Sequence, residues 1–349
     1  MVVTDHTQGA TSDGSARRRA VMADVAKLAG VSHQTVSRVL NGAEHVRPET
    51  RSRVLDAMRM LDYHPNAVAR ALVTGRSRTL GVVSFDTTLY GPASTLLGIE
   101  RAAHAQGYYV SIVSMTSLDR DSLIDALGRL GRQGVDGILI IAPLVEAVRA
   151  LGTVRSEVPI VALEAGPDEA VPVIAVDQVC GARAAVEHLL SLGHGTVHHI
   201  AGPTDFQEAI HRVEGWRAAL AQVGAPAHEP LVGDWSAASG YELGRRLLET
   251  ADPTAIFVAN DQMALGVLRA LHESGRALPG DVSVVGFDDI PEAAFFLPPL
   301  TTVRQDFTEM GERALHVMLE RLLGDTEPKR VVIAPELIVR ASTAAPPAS

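Results

Sequence analysis

The chain has 349 residues, a single cysteine and a formal net charge of −10. That length exceeds one ordinary domain and suits a small module joined to a two-lobed body. Cys180 standing alone excludes an internal disulfide framework and a cysteine-only zinc site, and it points to a reducing compartment. No apolar run approaches the roughly 18 to 20 residues of a bilayer span, and the first residues lack the charged-then-apolar order of an export signal, so a cytoplasmic protein without a membrane partner is expected. The acidic balance taken alone argues against nucleic acid. It is uneven, however: residues 17 to 78 hold twelve Arg or Lys against five Asp or Glu, a local balance of +7.

Residues 1–18 are small, polar and aperiodic, the composition of a disordered tail; the arginines that follow it, within Arg17-Arg18-Arg19, are either solvated or close to phosphates. Residues 19–64 read as an all-α head. A first helix runs to about Ala29, with Val25, Ala26 and Ala29 at helical spacing and Gly30 as its left-handed stop. Ser32 caps a second helix, in which Val36, Val39 and Leu40 form the apolar side. His33, Gln34, Ser37 and Arg38 fall on the opposite side. Gln can pair with adenine and Arg with the O6 and N7 of guanine in a major groove, whereas Ser32, Thr35 and Ser37 suit phosphates, which fix register without reading sequence. A third helix from Pro48 to about Leu61 is expected to bury Val54, Leu55, Met58 and Leu61. The basic head on an acidic body is the electrostatic footprint of a DNA-binding module.

The string Val31-Ser-His-Gln-Thr-Val-Ser-Arg-Val-Leu-Asn41 resembles the headpiece signature of the LacI/GalR family of bacterial transcription regulators. The resemblance extends to Gly233-Asp-Trp-Ser-Ala-Ala-Ser-Gly240, Val258-Ala-Asn-Asp-Gln-Met-Ala-Leu-Gly266, Val284-Val-Gly-Phe-Asp-Asp289 and Pro298-Pro-Leu-Thr-Thr-Val-Arg-Gln-Asp-Phe307, and so covers roughly residues 21 to 343. It implies a transcriptional repressor, not an enzyme, that binds a palindromic operator in double-stranded DNA as a homodimer and is released by a small effector. Asn41 and His45 join the DNA-contacting set through this resemblance, and His33 stands where the matching pattern has a tyrosine.

Residues 65–77 form a linker with too few helix formers for a stable isolated helix. Taken alone it reads as flexible; the resemblance implies a hinge helix that orders on the operator. In that reading Leu72 wedges into the minor groove at the operator centre, and Asn66, Ala69 and Arg70 supply neighbouring contacts.

From Arg78 the pattern becomes short β-branched runs alternating with amphipathic stretches. Strands are expected at 79–84, 108–114, 137–142, 159–163, 197–201, 255–259 and 282–286, with helices at 95–106, 123–133, 181–192 and 262–274. This is an α/β pattern of parallel sheets covered by helices, with more units than one sheet holds, so two lobes are expected. The family implication is a periplasmic-binding-protein-like core over 78–343, crossed three times near 176, 304 and 335: one lobe from about 78–176 and 305–334, the other from about 177–304 and 335–343, before a tail at 344–349.

Ligands of such folds sit at the carboxyl ends of strands, between lobes. Glu164, Asn260 with Asp261, Asp288 with Asp289, and Gln305 with Phe307 fall at such ends; Trp235 sits in a loop after Leu231–Gly233, and Arg212 precedes Gly215-Trp216. Carboxylates, Arg, Asn and Gln take paired hydroxyls, and an indole stacks on a pyranose face, so the set describes a sugar pocket. By resemblance Glu164, Arg212, Trp235, Asn260, Asp288, Gln305 and Phe307 match effector-site positions, and Gly91, Pro92 and Thr95 match a pocket-edge segment. Three positions depart from the matching pattern: Glu164 for an aspartate, Glu208 for a serine and Phe85 for a serine. A bulkier, more acidic pocket is expected, with a β-galactoside or β-glucoside as the effector; a purine or nucleoside acting as corepressor is the open alternative, as is a sugar-binding protein without a regulatory role.

Leu265 and Phe296 match dimer-interface positions, and the lack of a heptad tail after Ala341 favours a dimer over a tetramer. His194, His198 and His199 cluster in sequence, but adjacent strand residues face opposite sides, so no metal site is expected and no cofactor is implied. Cys180 opens a helix with no partnered base in view and is expected to be a small buried residue. Gly131 and Gly134 are turn glycines, since the spacing of a phosphate-binding loop is missing.

Overall fold

The computed structural model describes residues 20–40, 45–63, 75–115, 120–145, 156–164 and 171–347. The chain divides into two units, residues 1–77 and 78–349. The tail at 1–18, Asn41 and the linker residues Asn66, Ala69, Arg70 and Leu72 lie outside the described residues.

In the first unit α1 (Met22–Ala29), α2 (His33–Leu40) and α3 (Pro48–Met60) enclose a small apolar core of Val25, Ala29, Val36, Val39, Val54 and Ala57. Gly30 adopts φ 63°, which ends α1 and lets Val31 N–H return to Ala26 O at 3.0 Å. Ser32 Oγ accepts from Thr35 N–H at 3.1 Å and so caps α2. The expected burial of Leu55 is corrected: it is exposed, because one residue past Val54 the helix has turned about 100° away from the core, and Ala57 packs there instead.

The second unit is built on two six-stranded sheets. The first comprises β1 (Thr79–Phe85), β2 (Tyr109–Met115), β3 (Gly137–Ile141), β4 (Ile160–Leu163), β5 (Val173–Val176) and the late strand β11 (Arg330–Ile333), in the order β11-β5-β4-β3-β1-β2 with every pairing parallel. The second comprises β6 (His198–Ala201), β7 (Leu231–Val232), β8 (Ala255–Val258), β9 (Ser283–Asp288), β10 (Thr301–Arg304) and β12 (Glu336–Ile338), in the order β12-β10-β9-β8-β6-β7. Only β12 runs antiparallel, against β10. The chain thus leaves the first sheet after β5, returns after β10 and leaves again after β11.

Both faces of each sheet are covered, which explains strands such as Ile138-Leu-Ile-Ile141 that are apolar throughout. On the first sheet Leu80 and Val82 point to α4 (Tyr90–Ala105) and α10 (Phe307–Leu322), while Val83 points to α5 (Arg120–Arg132). On the second, Phe257 and Phe287 face α6 (Gln178–Ser191) and α7 (Gln207–Val223), whereas Ile256 and Val284 face α9 (Asp261–Glu273) and α8 (Ala237–Thr250). Helices α4 and α10 cross at Gly98 and Gly311, where a Cβ on Gly98 would run into the Phe307 carbonyl and one on Gly311 into the Gly98 backbone. Among the described residues no helix is long and apolar enough to cross a membrane.

Strands β5, β10, β11 and β12 and helices α7, α8 and α10 were not among the expected elements; the strands have only three or four residues, too short for a periodic signal. Cys180 is exposed, not buried: it sits in the first turn of α6 on the solvent side, and Gln178, Gly181 and Ala182 occupy the inner face. The three histidines diverge. His194 contacts Thr254, Ser283 and the Ala344 carbonyl, His198 stacks on His228, and His199 is stacked against Trp216 and Phe257.

Candidate functional site

Two groups of candidate residues emerge, one in each unit. In the head, Ser32, His33, Gln34 and Arg38 are exposed on α2, with Thr35 and Ser37 half-buried beside them and His45 exposed after the helix. Burial of Val36 and Val39 against α1 and α3 forces this polar side outward, so a helix with basic and amide side chains is presented to solvent on a three-helix base.

In the second unit a cavity of about 320 Å³ opens between the carboxyl ends of the two sheets. It is lined from the first sheet's side by Gly91, Pro92, Thr95, Glu164 and Phe307, and from the second's by Glu208, Arg212, Trp235, Asn260 and Asp288, with Gln305 at the second crossover. The volume lies at the low end of small-molecule sites.

Phe85 is the exception among the expected pocket residues. It does not line the cavity; the last residue of β1, it packs in the first sheet's core against Phe206, ring centroids 6.5 Å apart, and Phe206 lines the cavity in its place. Phe296, matched to a dimer-interface position, packs into the core of the second sheet's side, and its neighbours Phe295 and Leu297 point outward at 84% and 90% exposure. Leu265 is exposed on α9. Asp261 and Asp289 also serve the scaffold. Asp261 accepts from Thr302 Oγ1 at 2.6 Å and Ile290 N–H at 2.9 Å, and Asp289 pairs with Arg304 and Arg340.

The polar side of the cavity, Arg212, Asp288 and Gln305, is closed into a ring of four side chains by Gln178 behind it. Arg212 Nε donates to Gln178 Oε1 at 2.9 Å, Gln178 Nε2 to Gln305 Oε1 at 2.8 Å, and Gln305 Nε2 to Asp288 Oδ1 at 2.7 Å. Arg212 Nη2 closes the ring 3.5 Å from that same oxygen, and its Nη1 donates to the Ala259 carbonyl. The guanidinium lies over Phe287, 3.8 Å from the ring centroid, so it is held on both its edge and its face. Gln178 and Gln305 sit where the chain crosses between sheets after β5 and after β10, so the ring ties two of the three crossovers to the cavity.

Three lining residues adopt left-handed backbone: Glu164 at φ 56°, Trp235 at 72° and Asp288 at 106°. Such conformations cost on the order of 1–3 kcal/mol each in a non-glycine residue and cluster at functional sites. Trp235 covers Gly202, where any Cβ would meet the indole, and meets Phe206 edge-on at 5.6 Å and 78°. Asn260 caps α9 by accepting from Met263 N–H, and its Nδ2 donates to the Trp235 carbonyl and Gln262 Oε1, which fixes the loop that carries the indole. Tyr90 and Phe307 meet edge-on on the opposite wall.

Burial decides the electrostatics. It pushes the Glu164 carboxyl well above the usual range, with further elevation by the Glu208 charge, and it pushes Glu208 up to about 7 and Asp288 up to about 6, in both cases against the lowering pull of Arg212. Glu164 Oε1 and Glu208 Oε2 are buried and make no hydrogen bond.

Sequence reasoning missed Gln178 and Phe206. Both follow short strands, β5 and β6, so the strand-end rule would have flagged Gln178 had β5 been recognised, and Phe206 had it been followed further beyond β6.

Residues 21–66 match the model of bacterial regulatory proteins of the lacI family, and residues 186–343 match a periplasmic binding protein-like domain. The lactose operon repressor of Escherichia coli (strain K12) is 36% identical over 325 residues, covering 93% of this chain and 90% of that one. The HTH-type transcriptional regulator CelR of Thermobifida fusca is 37% identical over 343 residues, covering 93% and 99% respectively. The HTH-type transcriptional repressor PurR of Mannheimia succiniciproducens is 35% identical over 329 residues, covering 93% and 98%. Among solved structures, the lac repressor dimer bound to operator and the anti-inducer ONPF superposes with a TM-score of 0.84 at 36% identity over 94% of this chain and all of that one. A CelR–cellobiose complex superposes with a TM-score of 0.70 at 34% identity, over 93% and 100%. A helix-turn-helix head followed by two parallel-sheet lobes around a cleft defines a ligand-responsive regulator. The chain belongs to the lacI family of bacterial regulatory proteins: it is a DNA-binding transcriptional repressor and not an enzyme.

Proposed function

We propose that the protein represses a carbohydrate-utilisation operon from the cytoplasm, binding a palindromic operator as a homodimer and leaving it when a small sugar fills the cavity between the sheets. The effector is a β-linked glycoside of gluco or galacto type. The observation that carries this reading is the chemistry of the lining: Arg212, Gln305 and Asp288, held together by the buried Gln178, with Asn260 and two glutamates beside an indole, which matches vicinal hydroxyls on one side and a pyranose face on the other. The edge-on geometry of both lining aromatic pairs, Phe206–Trp235 and Tyr90–Phe307, argues against a purine, which needs parallel faces to stack between.

DNA is read by α2, with Gln34 and Arg38 at base edges, His33 beside them, and Ser32, Thr35, Ser37 and His45 towards phosphates. Asn41, Asn66, Ala69, Arg70 and Leu72, which the family resemblance adds, complete the contact set. The dimeric reading draws on the lac repressor, solved as a dimer on its operator, and on the exposed apolar residues Leu265, Phe295 and Leu297.

The test is a thermal-shift screen against mono- and disaccharides and purines, followed by operator titration with any hit. A glycoside that stabilises the protein and weakens DNA binding supports the reading; a purine that stabilises it and tightens DNA binding overturns the sugar part and leaves the repressor intact.

A further inference from the structure

The cavity holds more acid than base. Glu164, Glu208, Asp234 and Asp288 line it together with Arg212, so four carboxyl groups share one guanidinium. Arg212 is already committed to Gln178, the Ala259 carbonyl and Asp288, and Asp288 has Gln305 besides. Among the described residues, that leaves Glu164 and Glu208 with no cation besides the shared Arg212. Glu164 is only 8% exposed, and its Oε1 is fully buried without a hydrogen bond; Oε2 of Glu208, on the facing lobe, is in the same condition.

Unpaired buried acceptors are rare in folded proteins and call for an explanation. Here they belong to two glutamates that both line one cavity, so a group that fills it is the place from which further donors can come. A sugar hydroxyl supplies a hydrogen bond but no charge, so ionising both carboxyls away from water stays costly beside it. An ammonium supplies up to three donors and the missing positive charge together. Phe206 and Trp235 on the same wall offer aromatic surface that tolerates a cation.

We propose that the effector is a saccharide with a free primary amine, a glycoside of the glucosamine or galactosamine type, its ammonium group held between Glu164 and Glu208. This rests on the sugar reading of the cavity and names the sugar's class. Binding then carries a proton signature. The charged groups facing the ammonium are Glu164 after β4, Glu208 and Arg212 on α7, Asp288 at the end of β9 and Asp234 before α8, with Asp261 behind Asp288 and His199 behind Arg212. Burial raises the Glu164 carboxyl well above its usual range and that of Glu208 to about 7; a cation between them lowers both and drives off protons they hold.

The experiment is calorimetric titration of the full-length protein at pH 7 with the β-1,4-linked glucosamine disaccharide, glucosamine and galactosamine, alongside N,N′-diacetylchitobiose, cellobiose, lactose and hypoxanthine. Measurements run in two buffers of different ionisation enthalpy. The expected result is that a free-amine sugar binds at least about tenfold more tightly than its acetylated or hydroxyl counterpart, with proton release that the neutral sugars lack. In Glu208→Gln that preference should fall below about threefold, and in Glu164→Gln likewise, so that either variant suffices if the other fails to fold. Equal or tighter binding of cellobiose or lactose overturns the amine and leaves the sugar site standing. Hypoxanthine binding with no saccharide overturns both, and failure of all three amino sugars at millimolar concentration overturns the proposal whatever else binds.

Discussion

Glu208 illustrates how one side chain sets a pH dependence. Its carboxyl ordinarily titrates at 4.5 and is pushed by burial to about 7 in the folded protein, so between those values the unfolded chain gives up the proton first. The folded state therefore binds more protons in that window, and stability falls as pH rises from about 4.5 to about 7, then levels. Replacing Glu208 by Gln should remove that slope and leave the empty protein more stable at pH 8, by about 2 kcal/mol, in urea titrations at a series of pH values. Gln178 poses the opposite case. It gives Arg212 and Gln305 their ring partners, so Gln178→Ala should cost about 1–3 kcal/mol in the same titrations by leaving a buried donor and acceptor unpaired. In the head, Arg38→Ala should relax base preference at one operator position by about 1–3 kcal/mol. Ser32→Ala should instead weaken all sequences alike, and binding-site selection with each variant separates the two.

At the level of elements, the crossing of α4 and α10 is a tightly constrained contact. Gly98 and Gly311 bring two backbones together under the first sheet, and α10 carries Phe307 to the cavity at its first residue. Gly98→Ala should cost about 1–3 kcal/mol by overpacking, since the obstacle is a carbonyl and not a flexible side chain. Because the helices would part at the end that holds Tyr90 and Phe307, the same substitution should weaken effector affinity along with thermal stability, whereas a distant surface change should alter neither. Most of these elements were legible beforehand. Several helices with periodic apolar faces and strands with β-branched runs announced themselves, but the long helices α7, α8 and α10 were not among them, and β5, β10, β11 and β12, at three or four residues, are defined by their neighbours in the sheet. The cavity's missed residue Gln178 follows from that: a strand that cannot be seen hides the residue at its end.

For the whole molecule, the ring of Gln178, Arg212, Asp288 and Gln305 connects the cavity to two of the points where the chain passes between sheets. A ligand that binds this ring bears directly on how the two sheets are joined. An effector present at about 100 times its Kd should stabilise the protein by about 2.7 kcal/mol. If it couples to the head by an ordinary 1–3 kcal/mol, operator affinity should fall about 5- to 150-fold in fluorescence anisotropy, and operator should weaken effector binding by the same factor, as linkage requires. Unequal factors in the two directions would mean that the two sites do not share one equilibrium.

The sequence by itself determined the helix-turn-helix head, because its signals are local: a left-handed glycine, a serine cap and apolar residues spaced to bury one side of α2 leave His33, Gln34 and Arg38 outside. It also determined that the body is a pair of parallel α/β sheets and most of what lines the cavity, since strand ends can be found without knowing what lies across from them. Only the tertiary structure decided that Phe85 backs the cavity and does not line it, that Phe296 is core while Phe295 and Leu297 point outward, and that Cys180 faces solvent. It alone decided that Glu164 and Glu208, 44 positions apart, face one cavity without a cation between them. Burial, pairing and proton affinity belong to surroundings that distant segments assemble, and no local pattern records them.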